Sequence, residues 1–219
     1  MPTDQTRLPL SNRIDKVAPS ATLAVDMKAK AMKAQGIDII GFGVGEPNFA
    51  TPEAIVEAAA AAVVNPANYK YSPTPGLPEL RQAIASKTLR DSGYEVEPEQ
   101  VVVTNGGKQA VYEAFQLIVN DGDEVIIPTP CWVSYPEIVR IVGGVPVLIE
   151  GKAERGFVVD AEEIAPYVTE KTKALILNSP NNPNGCVWSH DELMAIAEKF
   201  LESWSILWRR DDKNISDSS

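Results

Sequence analysis

Residues 101–118 read VVVTNGGKQAVYEAFQLI. The β-branched run at Val101–Thr104 is typical of a strand, and the apolar positions that follow in 110–118 recur at helical spacing. Gly106 and Gly107 separate the two patterns, where they allow a sharp turn and leave the first helical N–H groups unobstructed. Because a helix N-terminus favours negative charge, the stretch predicts a cradle for an anion such as phosphate. An ordinary strand-to-helix turn with a glycine hinge fits the same residues.

The alternation of strand and helix continues toward residue 200. Strands are predicted at Glu124–Ile127, Val145–Ile149 and Ala174–Leu177, and helices at Lys108–Val119, Tyr135–Ile141, Asp160–Tyr167 and His190–Phe200. Continuous apolar strands between helices are typical of a parallel sheet covered on both faces, so the predicted fold class is α/β. Capping-box spacing joins Asp160 to Glu163 and Ser189 to Glu192, which supports the last two helix starts.

The first hundred residues are less regular. Helices are predicted at Ala21–Gln35, at Pro52–Val64 with Thr51 as its N-cap, and at Pro78–Asp91. A short strand at Asp38–Ile40 leads into GFGVG at 41–45, which resembles a dinucleotide-binding turn. That turn requires a helix directly after its glycines, whereas Glu-Pro-Asn follows here and favours extended backbone. We therefore do not predict a dinucleotide site.

The composition excludes several classes of function. The chain has 20 Lys and Arg against 30 Asp and Glu, a formal charge of -10, which argues against a nucleic-acid partner. The apolar run near Ala58–Val64 is too short to span a membrane, and the N-terminus lacks the features of a signal peptide, so a cytoplasmic protein is expected. His190 is the only histidine, and Cys131 and Cys186 form no CxxC motif, so no metal site is predicted.

Three loops that follow predicted strands carry unusual residues. Gly106-Gly107-Lys108 follows the first strand, Pro130-Cys131-Trp132 follows the second, and NSPNNPNG at 178–185 follows the last. Ligands of open parallel sheets bind beyond the carboxyl ends of the strands. We therefore expect an anion cradle, a large aromatic ring and an amide at one edge of the sheet.

Seven segments carry a resemblance to a known family. They are PSAT at 19–22, GEPNF at 45–49, KY at 70–71, GLPELR at 76–81, GGKQA at 106–110, WVSYPE at 132–137 and NSPNNPNG at 178–185. In order and spacing they resemble the class I pyridoxal-phosphate aminotransferases, specifically the aspartate and aromatic or prephenate aminotransferase branch. Each segment alone is weak, but together they cover the chain from about residue 11 to residue 200.

The resemblance implies an incomplete fold-type I pyridoxal-phosphate transferase large domain, a parallel-sheet α/β sandwich with an N-terminal arm. It divides the chain into three parts. Residues 1–50 would form the arm and part of the small domain, and residues 51–200 would form part of the cofactor-binding large domain. Residues 201–219 are a tail unlike the family.

The resemblance also implies cofactor contacts. Gly106, Gly107 and Lys108 would hold the phosphate of pyridoxal 5′-phosphate, and Trp132 would stack on its ring. A core tryptophan at a strand end is the alternative for that position. Tyr71 would reach across a dimer interface to the cofactor phosphate of the partner.

Three residues are implied in substrate binding. Asn182 would donate its amide to the phenolic oxygen of the cofactor ring and lie near the substrate carboxylate, together with Trp132. Gly45 would let its backbone approach the substrate. Cys131 and Asn184 depart from the tyrosine and threonine usual in this branch, which puts the fine substrate preference in doubt.

The family's remaining chemical groups are not matched. No segment resembles the Ser-x-Ser-Lys-like motif that carries the Schiff-base lysine, and the aspartate for the ring nitrogen and the distal arginine for the substrate carboxylate are also unmatched. No catalytic residue is therefore assigned, and the chain is interpreted as the N-terminal half of an aminotransferase.

The function implied is transamination between an amino acid and a 2-oxo acid, by a homodimer in the family, with this chain inactive alone. A non-catalytic fragment and another fold-type I enzyme, such as a carbon–sulfur lyase, are the alternatives.

Overall fold

The computed structural model describes residues 11–43, 45, 47–200 and 207–208. The first ten residues of the predicted arm and most of the predicted tail lie outside these ranges. The α-helices are α1 (Ala21–Ala34), α2 (Glu53–Val63), α3 (Pro78–Ser92), α4 (Gly107–Ile118), α5 (Ser134–Ile141), α6 (Ala161–Ile164) and α7 (His190–Phe200). The strands are β1 (Glu124–Thr129), β2 (Val145–Glu150), β3 (Thr172–Ile176) and β4 (Leu207–Trp208).

The strands form one parallel sheet in the order β2-β1-β3-β4. Ile126 at the middle of β1 stands opposite Val147 of β2 and Leu175 of β3. The α/β class and the parallel sheet predicted from the sequence are confirmed. The short strand β4 falls within the predicted tail and pairs with β3.

Helices cover both faces of the sheet. Successive β1 side chains point to opposite faces, so they pack against different helices. Val125 and Ile127 belong to one core cluster, which also takes residues from α4 and α5. Ile126 belongs to the other cluster, which takes residues from α6 and α7. These three side chains have no exposed surface, as expected for the central strand of a parallel sheet.

Both predicted capping boxes are present. The Glu163 N–H donates to Asp160 Oδ1 at 2.8 Å, and the Asp160 N–H donates to Glu163 Oε2 at 3.1 Å. The Ser189 N–H donates to Glu192 Oε2 at 2.7 Å, while the Glu192 N–H donates to Ser189 Oγ at 3.3 Å. Each box satisfies amide groups that the first turn of a helix leaves without an intrahelical acceptor.

The predicted strand at Val101–Thr104 is wrong. This segment pairs with no strand of the described residues, and Val102 is 62% exposed. Its backbone finds other partners: the Val103 N–H donates to the Pro75 carbonyl at 2.9 Å, and Arg81 Nε donates to the Val101 carbonyl at 3.0 Å. β-Branched residues favour extended backbone, but a strand also requires a neighbouring edge.

Three smaller expectations also fail. Asp38–Ile40 is not a strand: it pairs with no strand among the described residues, and Ile40 is 81% exposed. Thr51 does not cap α2: the N-cap residue is Pro52, no side chain accepts a hydrogen bond from the first turn, and the helix begins at Glu53, one residue later than predicted. The helix predicted at Asp160–Tyr167 divides into α6 and a 3-10 turn at Ala165–Tyr167, where Pro166 has no N–H to continue the α-helical pattern.

None of the helices in the described ranges is both long enough and apolar enough to cross a membrane.

Candidate functional site

The turn before α4 is held in place by hydrogen bonds among its own residues. Gly106 has φ +80°, a backbone conformation that residues other than glycine rarely adopt. Its N–H donates to the Thr104 carbonyl at 2.9 Å, and Thr104 Oγ1 donates to the Gly106 carbonyl at 3.1 Å. The Asn105 N–H donates to Gln109 Oε1 at 2.8 Å. These bonds fix the direction in which the first turn of α4 points.

The N-terminus of α4 is open to an incoming anion. In the described part of the chain, no protein acceptor takes the N–H groups of Gly107, Lys108 or Gln109. A Cβ built on Gly106 or Gly107 would meet no atom within 4 Å. Lys108 is exposed and forms no ion pair with the carboxylates described. Free amides, open space and an unpaired ammonium group together suit a phosphate.

The backbone that leads into this turn packs against the loop before α3. A Cβ on Gly76, which has φ +109°, would lie 2.6 Å from Val103 Cγ2, so only glycine fits there. Arg81 on α3 holds the carbonyl of Val101. Sequence reasoning gave neither Gly76 nor Arg81 a role, because their contacts join segments that are 27 and 20 residues apart.

Trp132 lies beside the α4 N-terminus. The Lys108 ammonium nitrogen is 5.5 Å from the centre of the Trp132 ring, within the range of a cation–π contact. Tyr135 packs its ring edge-on against Trp132 with centroids 5.2 Å apart. Trp132 is half-buried and also contacts the core cluster that contains Val125. The Trp132 ring therefore packs against the core cluster, and the Lys108 ammonium approaches it from the N-terminus of α4.

Asn181 connects the loop after β3 to the loop after β1. Its Nδ2 donates to the Pro130 carbonyl at 2.7 Å and to Asn184 Oδ1 at 2.8 Å. Asn181 is only 9% exposed, and its N–H and carbonyl bond to the Cys186 carbonyl and the Gly185 N–H, both at 2.8 Å. Sequence reasoning assigned a role to its neighbour in this loop and none to Asn181. The sequence feature that could have pointed to Asn181 is its position directly before Asn182-Pro183.

Asn182, Gly45 and Tyr71 are all exposed. Asn182 follows Asn181 directly, so the bond to Pro130 brings its loop to the loop that carries Trp132. Tyr71 is fully exposed, and its side chain therefore packs against no other predicted site residue. A Cβ on Gly45 would meet nothing within 4 Å, and its neighbours at 44 and 46 lie outside the described residues.

The chain also resembles known proteins along most of its length. Residues 37–207 match the family model for aminotransferase class I and II. The chain belongs to this family. The aspartate aminotransferase of Streptomyces avermitilis is 53% identical over 203 residues, 91% of this chain and 50% of that protein. A probable aspartate aminotransferase of Streptomyces griseus is 52% identical over 193 residues, 88% of this chain and 90% of that protein.

A solved aminotransferase has the same fold. The structure of Thermus thermophilus aspartate aminotransferase with maleate is 47% identical with a TM-score of 0.83, covering 90% of this chain and 51% of that one. The chain therefore spans about half the length of the S. avermitilis and Thermus proteins. The family and the fold-type I architecture implied by the seven sequence segments are confirmed.

Aminotransferases of this class are known to use pyridoxal phosphate, and the residues described fit such a group. The cradle offers unpaired amides and a lysine for the phosphate, and Trp132 offers a flat apolar ring beside them.

The two cysteines are less suited to chemistry. Burial raises the pKa of the Cys131 thiol, and it also raises the pKa of the Cys186 thiol, so both thiolates are disfavoured.

A cavity of about 680 Å³ lies at the opposite edge of the sheet, where β2 begins at Val145. Its cations are Arg13, Lys16 and Arg140, and Arg140 pairs with Glu137 at 2.6 Å. Arg13 and Lys16 are exposed to solvent. The residues that line this cavity include the amide side chain of Asn12 but no aromatic ring that could cover a flat cofactor, so the carboxyl edge is the candidate site.

Proposed function

We propose that the carboxyl edge of the sheet holds pyridoxal 5′-phosphate and that the whole protein transfers an amino group between an amino acid and a 2-oxo acid. One observation carries this proposal. The Lys108 ammonium lies 5.5 Å from the centre of the Trp132 ring, so a site for an anion adjoins a site for a flat ring. A phosphorylated aromatic group matches both sites at once.

Each residue has a distinct part in this proposal. The free amides of Gly107 and Lys108 and the open turn at Gly106 hold the phosphate, while the Lys108 ammonium offsets its charge. Trp132 covers one face of the ring and excludes water from it. Asn182 donates its amide to the ring oxygen. When bound, the cofactor supplies an electron sink for the substrate's α-carbon.

The substrate is held beside the ring in this proposal. Gly45 allows close backbone approach, and Trp132 and Asn182 border the substrate carboxylate. The names of the relatives point to aspartate as the amino acid, and the Thermus structure contains maleate, a four-carbon dicarboxylate. We assign no proton-transfer step to this chain, because none of its lysines matches the family's Ser-x-Ser-Lys-like segment.

The proposal includes a homodimer. Tyr71 is fully exposed and stands on a loop of this chain, so its hydroxyl is available to a second copy. In that role it would donate to the cofactor phosphate of the partner subunit. Residues 51–200 would then be the part of the large domain that binds cofactor, and residues 1–50 the arm and part of the small domain.

The test uses 4′-deoxypyridoxine 5′-phosphate, which has no aldehyde and so reports non-covalent binding. Lys108→Gln should weaken its binding about tenfold, because one charge-assisted bond to phosphate is lost. Lys87→Gln is the matched control, since Lys87 pairs with Asp91 on α3 at 2.7 Å. Isothermal titration calorimetry measures both affinities.

Unphosphorylated pyridoxine provides a second control, and Lys108→Gln should leave its weak binding unchanged. Equal affinities for the phosphorylated analogue in the Lys108 and Lys87 variants would contradict the assigned cradle.

A further inference from the structure

The turn formed by Asn181–Cys186 contains an unusual polar group. Asn184 Oδ1 accepts two hydrogen bonds, from Asn181 Nδ2 at 2.8 Å and from the Cys186 N–H at 3.1 Å. Asn184 Nδ2 is buried and has no hydrogen-bond partner among the described residues. A buried donor without a partner costs free energy and is rare in folded proteins. The two hydrogen bonds that the Asn184 oxygen accepts therefore offset the cost of its unpartnered nitrogen.

The amide of Asn184 cannot rotate to relieve this cost. Exchanging its oxygen and nitrogen would set Nδ2 against two donors, the Nδ2 of Asn181 and the N–H of Cys186. Both contacts would be lost. The orientation of Asn184 is thus fixed by the donors that face it, and its oxygen in turn fixes Asn181.

Asn181 carries this constraint to the other loop. One Nδ2 hydrogen is directed to Asn184, which leaves the second for the Pro130 carbonyl at 2.7 Å. Pro130 stands two residues before Trp132, and Asn181 stands directly before Asn182. The bond from Asn181 to Pro130 therefore joins the two loops next to the two side chains proposed to contact the cofactor ring.

We propose that Asn181 and Asn184 form a clamp that sets the spacing between Trp132 and Asn182. Asn184 orients the Asn181 amide, and Asn181 holds the loop of Trp132 through Pro130. Both are positioning residues, since neither is proposed to contact the cofactor. The clamp's effect on the cofactor rests on the proposed function, whereas its effect on Trp132 does not.

The two asparagines use opposite halves of their amides, which allows a matched test. Asn181 acts as a donor, so Asn181→Asp removes the hydrogens that Pro130 and Asn184 accept. Asn184 acts as an acceptor, so Asn184→Asp keeps both bonds and replaces only the unpartnered NH2 group with a carboxylate oxygen. The chemical change is the same in both variants. Asn184→Ala removes the acceptor and serves as the third variant.

The first readout is the indole 1H–15N signal of Trp132 in the full chain, assigned by its loss in Trp132→Phe. Asn181→Asp and Asn184→Ala should move this signal, and Asn184→Asp should leave it close to its original position. The second readout is affinity for 4′-deoxypyridoxine 5′-phosphate. It should fall about tenfold in the first two variants and change less than about twofold in Asn184→Asp.

The outcomes separate the clamp from the proposed function. If the two Asp variants move the indole signal equally, buried charge explains the effect and the clamp is overturned. An unmoved signal in Asn181→Asp overturns it as well, and Asn184→Ala gives the same decision where Asn181→Asp does not fold. If the unaltered chain fails to bind the analogue, the proposed function fails while the indole comparison still decides the clamp. Binding that is equal in all variants overturns the positioning role.

Discussion

Helices α2 and α7 are of equal length, yet they are buried to very different extents. In α7, Ile196 is 1% exposed and Phe200 is 6% exposed, because the helix lies on one face of the sheet. In α2, whose residues are all described, none is buried, and Ile55 and Val56 are 58% and 52% exposed. An apolar helix therefore contributes to the core only where the fold supplies a surface for it, and its composition does not decide this.

The same contrast extends to the segments around each helix. Among the residues that the structure describes, 115–200 contain all but one of the buried apolar side chains, the exception being Ala85 on α3. Hydrophobic stabilisation is roughly proportional to the apolar area removed from water. Most of the stability of the described chain is therefore expected to come from the sheet and the helices α4 to α7.

The largest expected difference is between the centre of the sheet and α2. Ile126→Ala should lower the free energy of unfolding by about 2–5 kcal/mol, because it removes a fully buried side chain from β1. Ile55→Ala should lower it by less than about 0.5 kcal/mol. Urea titration followed by circular dichroism measures both. A comparable loss in the two variants would show that α2 packs against another surface in solution.

A smaller effect is expected at the N-cap of α6. Asp160→Ala should cost about 1 kcal/mol in urea titration at pH 7, because the Glu163 N–H loses its acceptor. Asp160→Asn keeps a capping oxygen and should cost less.

The same cap predicts a pH dependence. The Glu163 N–H lowers the pKa of Asp160, with desolvation opposing it and the Arg155 guanidinium adding to the decrease. The carboxylate's contribution is therefore present above the unfolded pKa of about 3.9 and is lost as pH falls through the lower folded pKa. Asp160→Asn should show a shallower loss of stability than the unaltered chain below about pH 4. Identical acid titrations of the two proteins would contradict this assignment.

The smallest effect is expected at an ion pair on α3. Lys87 pairs with Asp91 at 2.7 Å, but its side chain is 67% exposed, so the pair is strongly screened by water. Lys87→Gln should cost about 0.3–0.5 kcal/mol at low salt and close to nothing in about 1 M NaCl. A cost above about 1 kcal/mol that persists in salt would mean that surface ion pairs, and not buried apolar contacts, are the main source of stability of α3.

Sequence reasoning succeeded where local pattern and final environment agree. The three predicted strands after residue 120 and the helices at Tyr135–Ile141 and His190–Phe200 occur within two residues of their predicted bounds, because their apolar faces meet one another in the sheet. It failed at Val101–Thr104, where the residues favour a strand but pair with no strand of the described chain. For the site, the glycine turn at Gly106 was visible in the sequence, whereas the proximity of Lys108 and Trp132 was an expectation from topology.

The sequence by itself determined the family, the α/β class, the capping boxes of α6 and α7 and the loops that carry the candidate site, since each depends on residues close together in the chain. Only the tertiary structure decided which apolar segments are buried and how the loops are joined. The bond from Asn181 to Pro130 spans 51 residues, and no local spacing predicts it. Such contacts form when the packed sheet brings the ends of its strands to one edge, so their partners are set by the assembled fold.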